Sequence, residues 1–434
     1  MHRCVCLVFN ATARSSTSAV ISVTTLRPAG AAIGSGSQLP RSVTFCTCAA
    51  PGVDSRSCRS PTAIAVTLHP GSHRLSDTVH GGVGDVEEVL VVAGSAVPDE
   101  DWTAPGAHEV TAGVYRIPLP LPNDGLRAVN VYAILAGEDL VLVDSGWAIT
   151  EARAQLEAGL KSLGAALVDV SGFLVTHMHR DHYSQAVHVR REFGTAVSLG
   201  VGERAALDQL TDPAHRPLSS HLSALRQCGG ASVADALAAQ SPEPHDPHAS
   251  GWEYPDTWLR DGDSVPCGAR RLDVVGTPGH TQGHVVFHES QDGLLFAGDH
   301  VLPTITPSIA VEPVLAENPL ADFLASLAKV RQLPDAVLLP AHGPVAPSVH
   351  ARVDELTEHH GRRLDQTAAA VALGAHTAFE VALILRWTRR GRRLDELDLF
   401  NQMLAITETE AHLVLLAAQG RLSRSERDGI RHYK

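Results

Sequence analysis

A short segment after residue 175 constrains this chain more than any other feature. It places His177, His179, Asp181 and His182 within six residues, after the apolar run 172–175 and before a stretch with helical spacing. In an extended segment alternate residues share a face, so His177 and His179 point the same way, and the next turn brings Asp181 and His182 nearby. Imidazole and carboxylate groups are ligands that zinc uses in proteins. Packing does not easily explain so dense a cluster, and the sequence therefore predicts a metal site.

Three later segments carry further candidate ligands. His280 lies in a glycine-flanked loop, where the backbone must pass close to something. Asp299 follows the apolar run 293–297, and His342 follows a second apolar run in the same way. Each segment alone would be a weak indication. Coming after the dense cluster, they predict that His280, Asp299 and His342 complete one site.

The surrounding pattern favours an α/β layered fold, because short apolar strands alternate with helical stretches. The predicted strands are 129–135, 140–143, 172–176, 272–275, 284–288 and 293–297, and the predicted helices between them are 150–164 and 183–193. Residues 200–262 interrupt this alternation with a mostly helical insert. Its aromatic residues Trp252, Tyr254 and Trp258 are consistent with a lid over an apolar substrate or with anchors for the insert helices. The two interpretations stay open.

The two ends of the chain differ from this central part. Up to about residue 70 the chain is rich in Ser, Thr, Ala and Arg, and this part contains five of the seven cysteines. We therefore expect residues 1–104 to form a poorly ordered extension. Residues 348–434 predict a separate small helical domain, with helices at 350–373, 377–390, 395–403 and 408–419. No apolar run approaches the roughly 20 residues of a spanning helix, so an integral membrane protein is excluded. The irregularly spaced cysteines do not suggest a disulfide framework, and we expect a bacterial cytoplasmic protein.

Taken together, these motifs resemble those of the metallo-β-lactamase superfamily over residues 105–347. The resemblance implies an αββα sandwich with the site along one edge of its two sheets. It implies that His177, His179 and His280 hold one metal ion, that Asp181, His182 and His342 hold the other, and that Asp299 bridges the two. The expected cofactor is a pair of Zn²⁺ ions per chain, although other divalent metals fit the same ligands.

Three further residues are expected to support the ligands without touching metal. Asp144 ends the strand 140–143 and resembles the family's aspartate that braces the ligand loop. His284 and His300 lie beside His280 and Asp299 in the sequence, and we place them in the same supporting role. The helical tail 348–434 is similar to the winged-helix-like domain of one branch of the superfamily, which includes uncharacterised bacterial hydrolases and a mitochondrial endoribonuclease.

The resemblance implies a hydrolase that attacks with metal-bound hydroxide, with Asp181 orienting the water and carrying its proton. Asp299 argues against antibiotic hydrolysis, because antibiotic-hydrolysing members lack the bridging aspartate. The segments around His177 and His280 are similar to those of glyoxalase II, the hydroxyacylglutathione hydrolase. That enzyme has a Gly-Gly pair where this chain has residues 183–185, so we expect a small ester or thioester rather than a glutathione thioester in particular.

Two alternative functions follow from other features. A metal-dependent ribonuclease would use the same site and contact phosphates through five arginines in residues 386–393. The net charge of −13 argues against a protein built mainly to bind nucleic acid, and a solvated helix end is the commoner reason for such a run. A binding protein with a degenerate site is disfavoured by the complete ligand set. The sequence makes no prediction about the oligomeric state.

Overall fold

The computed structural model describes residues 101–434, except 123–124, 138, 213, 215, 217, 241–251, 310–311 and 389. The predicted N-terminal extension, up to residue 100, and Arg389 of the arginine run therefore lie outside the described residues. Residues Asp99–Lys434 form one compact unit. Within the described part of this unit, no helix is both long enough and apolar enough to cross a bilayer.

The first sheet follows the chain order from one edge to the other. Its strands are β1 His108–Thr111, β2 Val114–Pro120, β3 Ala128–Ala136, β4 Asp139–Val143, β5 Gly172–Val175, β6 Ala196–Gly200 and β7 Thr257–Leu259. Pairing is antiparallel from β1 to β4 and parallel from β4 to β7. The strands predicted at 129–135, 140–143 and 172–176 agree with β3, β4 and β5 to within one residue at each end.

The second sheet has the order β12-β11-β10-β9-β8. Its strands are β8 Ser264–Cys267, β9 Arg270–Gly276, β10 Val285–Glu289, β11 Leu294–Gly298 and β12 Val337–Pro340. All neighbours are antiparallel except β11 and β12, which run parallel. Because β9 and β11 both run antiparallel to β10, the C-terminal ends of β9, β11 and β12 meet at one edge.

The two sheets pack face to face, and the alternation along β3 shows how. Tyr132 and Ile134 lie in the core between the sheets, with Phe287 of β10 and Phe296 of β11. The intervening side chains of β3 belong to a second core with helices α1 Thr150–Ser162 and α2 Arg180–Phe193. Helices α6 Pro319–Gln332 and α7 Val349–Ala372 cover the outer face of the second sheet. The predicted αββα sandwich is confirmed.

The insert is mostly helical, as predicted, but it also completes the first sheet. It contains α3 Arg204–Leu210, α4 Ser219–Gln227 and α5 Ala231–Gln240, followed by strand β7. Trp252 and Trp258 pack against the core of α1 and α2, and the Tyr254 hydroxyl hydrogen-bonds to Asp208 of α3. These contacts favour the interpretation that the aromatic residues anchor the insert.

The C-terminal region is helical, but three of its predicted helices differ from the observed ones. The helix predicted at 377–390 is α8 Ala378–Ile384, which ends because Leu385 is extended and Trp387 pairs with Arg392 across a turn. The exposed arginines of the run therefore lie in a turn beyond α8. The helices predicted at 395–403 and 408–419 are one helix, α9 Leu399–Ala418, since no Gly or Pro interrupts residues 404–407.

The chain closes with an antiparallel hairpin, β13 Arg424–Arg427 and β14 Ile430–Tyr433, where the sequence predicts only a short tail. Helices α6, α7 and α9 share one hydrophobic core with the second sheet. The domain division near residue 347 and the winged-helix-like character of the tail stay predictions.

Candidate metal centre

The predicted ligands come together at the edge where several strands end. Asp144 follows β4, the segment 176–182 follows β5, and His280 lies on the loop between β9 and β10. Asp299 follows β11, and His342 lies two residues beyond β12. Parallel neighbours end at the same edge, so segments far apart in the sequence deliver their polar side chains to one place.

The first ligand group consists of three histidines. His177 Nε2 lies 2.9 Å from His179 Nδ1, and His280 Nε2 lies 3.1 Å from the same Nδ1 atom. The ligand atoms of the three residues all lie within 4.8 Å of one another. His177 and His280 are buried and His179 is partly exposed, so the group opens to solvent on the side of His179.

The second ligand group contains Asp181, His182 and His342. Asp181 and His182 lie in the first turn of α2, which begins three residues earlier than predicted. Asp181 Oδ2 lies 3.6 Å from His182 Nε2 and 3.5 Å from His342 Nε2. Both imidazoles are buried, whereas Asp181 is partly exposed.

Asp299 lies between the two groups, and its two oxygens face different ones. Oδ2 lies 3.5 Å from His280 Nε2 of the first group. Oδ1 lies 3.3 Å from His342 Nε2 and 3.7 Å from His182 Nε2 of the second. This carboxylate can therefore bind one cation through each oxygen.

Hydrogen bonds from outside the two groups fix the imidazole orientations. His182 Nδ1 donates to Asp144 Oδ2 over 2.9 Å. His342 Nδ1 donates to the Ala128 carbonyl over 2.8 Å, and His280 Nδ1 donates to the Ser308 carbonyl over 2.6 Å. With Nδ1 occupied as a donor, Nε2 is the nitrogen that each of these rings directs into the site.

The two remaining predicted residues differ in their surroundings. His284 Nε2 accepts a hydrogen bond from the Asp299 backbone amide over 3.1 Å, and its Nδ1 lies 2.8 Å from Thr277 Oγ1. His300 is fully buried and packs edge-on against Phe323 of α6, with 5.1 Å between ring centroids. The structure thus brings His284 into hydrogen bonding with the candidate ligand Asp299. His300 instead packs against α6.

Comparison with known proteins decides the family. The family model for the Metallo-beta-lactamase superfamily matches residues 124–342, just over half of the chain. The chain belongs to the metallo-beta-lactamase superfamily. The matched range contains every candidate ligand, and the sequence-based recognition of the family is confirmed.

Several curated relatives of this superfamily are similar to the chain. A probable metallo-hydrolase, YqjP of Bacillus subtilis, is 25% identical over 71% of this chain and 93% of its own length. An atrochrysone carboxyl ACP thioesterase of Aspergillus fumigatus is 24% identical over 63% of this chain and 68% of its own. A hydroxyacylglutathione hydrolase of Rhizobium johnstonii is 40% identical over 18% of this chain and 29% of its own. The predicted hydrolase class and the glyoxalase II-like relationship are confirmed.

A solved structure supports the same superfamily assignment. The crystal structure of a metallo-beta-lactamase family protein from Thermus thermophilus aligns with a TM-score of 0.61 and 29% identity. The alignment covers 75% of this chain and 99% of that protein. The structural alignment extends beyond residues 124–342, because it covers a larger share of the chain than the family model does.

Burial and neighbouring charges set the protonation states of the candidate ligands. Burial lowers the pKa values of His177 and His280, which keeps both rings neutral and able to donate a lone pair. Burial alone would raise the pKa of Asp181 and that of Asp299, but the nearby histidines outweigh it and lower both values. For His182, burial is outweighed by Asp181 and other carboxylates, which raise its pKa to about 10. The site therefore carries ionised carboxylates at neutral pH.

Three supporting residues escaped the sequence reasoning. The Thr176 backbone amide and hydroxyl both donate to Asp144 Oδ1, over 2.8 and 2.9 Å, and the residue stands directly before His177 in the ligand motif. Asn130 donates to the carbonyls of residues 340 and 343, which flank His342, and could have been noticed as a polar residue inside an apolar strand. Glu203 lies in the insert, where no sequence signal marks it.

Proposed function

We propose that the protein is a dinuclear zinc hydrolase acting on an ester or thioester. The observation that carries the proposal is the position of Asp299, whose Oδ2 faces His280 and whose Oδ1 faces His182 and His342. A carboxylate shared between two ligand groups suits a two-metal site, because each of its oxygens can bind one ion.

The donor set fits the two ions. Among the described residues, His182 Nε2, His342 Nε2 and Asp299 Oδ1 are buried and have no hydrogen-bond partner. Buried polar atoms without partners are costly, and a bound cation would satisfy all three at once. Two zinc ions would thus be held by His177, His179 and His280 on one side, by Asp181, His182 and His342 on the other, and by Asp299 between them.

Hydroxide near neutral pH is what two such ions would supply, because bound metal lowers the pKa of water. The chain's own contribution centres on Asp181. Its carboxylate stays ionised beside His182 and His342, and it lies on the partly exposed side of the site. We assign to it the acceptance of the proton that the attacking water gives up and its transfer to the leaving group.

The substrate class rests on the relatives and on the reaction that the site suits. Two of the relatives are named as a thioesterase and as a hydroxyacylglutathione hydrolase. Both names denote cleavage of an acyl–sulfur bond, which hydroxide attacks at the carbonyl carbon. A substrate would approach from the side of His179 and Asp181, since the other candidate ligands are buried.

The test is a hydrolysis screen of the purified, zinc-loaded protein over thioesters, esters, lactones and single-stranded RNA, each with a His177→Ala variant as the metal-site control. We expect turnover of a thioester or ester that disappears in the variant. Turnover of RNA alone would replace this proposal by the ribonuclease alternative. Equal activity of the wild type and the variant would show that the metal site does not carry the reaction.

The proposal also includes a catalytic domain at residues 105–347 and a winged-helix-like tail. From the composition, we propose a bacterial source and a cytoplasmic localisation.

A further inference from the structure

We infer that the insert 200–262 fixes the three-histidine group through two side chains. Glu203 holds the residue after His280, and Trp252 holds the residue between His177 and His179. The inference rests on the proposed function, because it concerns the group that would bind the first metal ion. Neither Glu203 nor Trp252 belongs to the ligand groups, so both are positioning residues.

Glu203 holds the loop that carries His280. It follows β6 in a single 3₁₀ turn and is fully buried. Its Oε1 accepts a hydrogen bond from Thr281 Oγ1 over 2.5 Å, and Thr281 is the residue after His280. The backbone amide of Met178, between His177 and His179, is near enough to lower the pKa of the same carboxyl group. The Glu203 side chain is therefore hydrogen-bonded to the β9–β10 loop and lies next to the β5–α2 loop.

The backbones of the insert and the β9–β10 loop meet too closely for side chains. A Cβ atom on Gly283 would lie 2.1 Å from the Glu203 backbone nitrogen, and one on Gly202 would lie 2.5 Å from the Gln282 carbonyl oxygen. Real Cβ contacts are not this short, so glycine is required on both sides. This close backbone contact keeps the Glu203 carboxyl within hydrogen-bonding distance of Thr281.

Trp252 holds the carbonyl side of Met178. Its Nε1 donates to the Met178 carbonyl oxygen over 3.1 Å, and its ring packs against the core of α1 and α2. The Met178 carbonyl belongs to the peptide group before His179. This peptide group is therefore anchored by the insert.

This anchoring determines how well the first metal would be bound. His177 Nε2 and His179 Nδ1 lie 2.9 Å apart, and Trp252 holds the peptide plane before His179. Glu203 holds Thr281, the residue next to His280. Loss of a group that orients a metal ligand typically costs about 10- to 100-fold in metal affinity. The second ligand group depends on Asp144 and the Ala128 carbonyl instead.

The test measures zinc affinity in the full chain by competition with a chromophoric chelator, for Glu203→Ala, Glu203→Gln and Trp252→Phe. We expect Glu203→Ala to weaken one of the two zinc equivalents by about 10- to 100-fold and to change the other by less than about threefold. Glu203→Gln should restore most of the affinity, because its amide oxygen can accept the hydrogen bond from Thr281. Trp252→Phe keeps the aromatic ring, loses the donor, and should weaken the same equivalent.

Two controls separate positioning from general loss of stability. Glu289→Ala removes another buried glutamate, which accepts the Gln291 and Asp292 amides at the far end of β10. Trp258→Phe changes a tryptophan of the same core. Both controls should keep wild-type affinity for both equivalents. If Trp252→Phe and a folded Glu203→Ala also keep it, the inference is wrong. Failure of the wild type to bind two equivalents would instead contradict the proposed function.

Discussion

His182 Nδ1 lies 2.9 Å from Asp144 Oδ2, and both side chains are buried at the carboxyl ends of β4 and β5. Asp144 has a φ of 59°, a left-handed conformation that aspartate adopts more readily than most residues. The carboxylate also accepts the Thr176 amide and hydroxyl, so its own position is fixed. The pair keeps the proton of His182 on Nδ1 and leaves Nε2 for the proposed second metal.

Replacing Asp144 by asparagine tests this relationship. The amide group of Asp144→Asn can present a donor to His182 Nδ1, which favours the tautomer with its proton on Nε2. We expect the affinity for one zinc equivalent to fall by about 10- to 100-fold in chelator competition, with the fold retained. Asp273→Asn, on β9 and bonded to Ser264, is the control and should change neither equivalent. Unchanged affinity in Asp144→Asn would contradict the assigned role.

Removing the Asp181 charge tests its role in proton transfer. At zinc concentrations that saturate the protein, we expect Asp181→Asn to lower kcat by about 10²- to 10⁴-fold, the usual contribution of general acid–base catalysis. The measurement is steady-state hydrolysis of the best substrate, with zinc content determined on the same samples. A variant that binds two zinc equivalents and turns over like the wild type would exclude Asp181 as the proton acceptor.

The sequence predicted which candidate ligands lie close together, because most of them follow an apolar strand and strand ends are marked by local pattern. Asp144, His177 and Asp299 all stand at such ends, and the structure places them at one edge of the sandwich. The family resemblance supplied the division into two groups, which spacing alone left open.

The supporting contacts could not be predicted in the same way. Glu203 meets Thr281 across 78 positions of sequence, and only the packing of β6 against the β9–β10 loop brings the two together. The end of α8 was also misplaced, because Trp387 pairs with Arg392 while the residues between them have no strong helix-breaking signal before Gly391. Tertiary contacts decided these features, and local propensity did not.

The acidity of Glu203 predicts a pH dependence of stability. Burial raises the pKa of Glu203 from 4.5 to about 7, although the Thr281 hydroxyl and the Met178 amide lower it in part. Between these values the folded chain binds more protons than the unfolded chain, so the group lowers stability as pH rises. Relative to Glu203→Gln, the metal-free wild type should lose about 3 kcal/mol of unfolding free energy between pH 4.5 and 7.

Denaturant titrations of both metal-free proteins across this range measure the difference. Well above pH 7 the gap should stay constant, because Glu203 is then ionised in both states. Parallel stability profiles of the two proteins from pH 4.5 to 7 would show that burial does not shift this carboxyl.

The exposed arginines distinguish the hydrolase from the ribonuclease. Arg390, Arg392 and Arg393 lie on the surface beyond α8, and phosphate contacts through them would release counterions. We expect the triple Gln variant to keep thioester or ester hydrolysis at the wild-type rate. RNA binding by the wild type should be weak at physiological salt. Tight RNA binding that falls steeply with salt and is lost in the variant, together with metal-dependent cleavage, would favour the ribonuclease.

The metal content of the purified protein tests the dinuclear site most directly. Seven candidate ligands exceed what one tetrahedral zinc can use, so we expect about two equivalents per chain by elemental analysis. His342→Ala removes a ligand of the second group only and should retain about one equivalent with hydrolysis lost. A wild-type protein that holds only about one equivalent and is fully active would contradict the account.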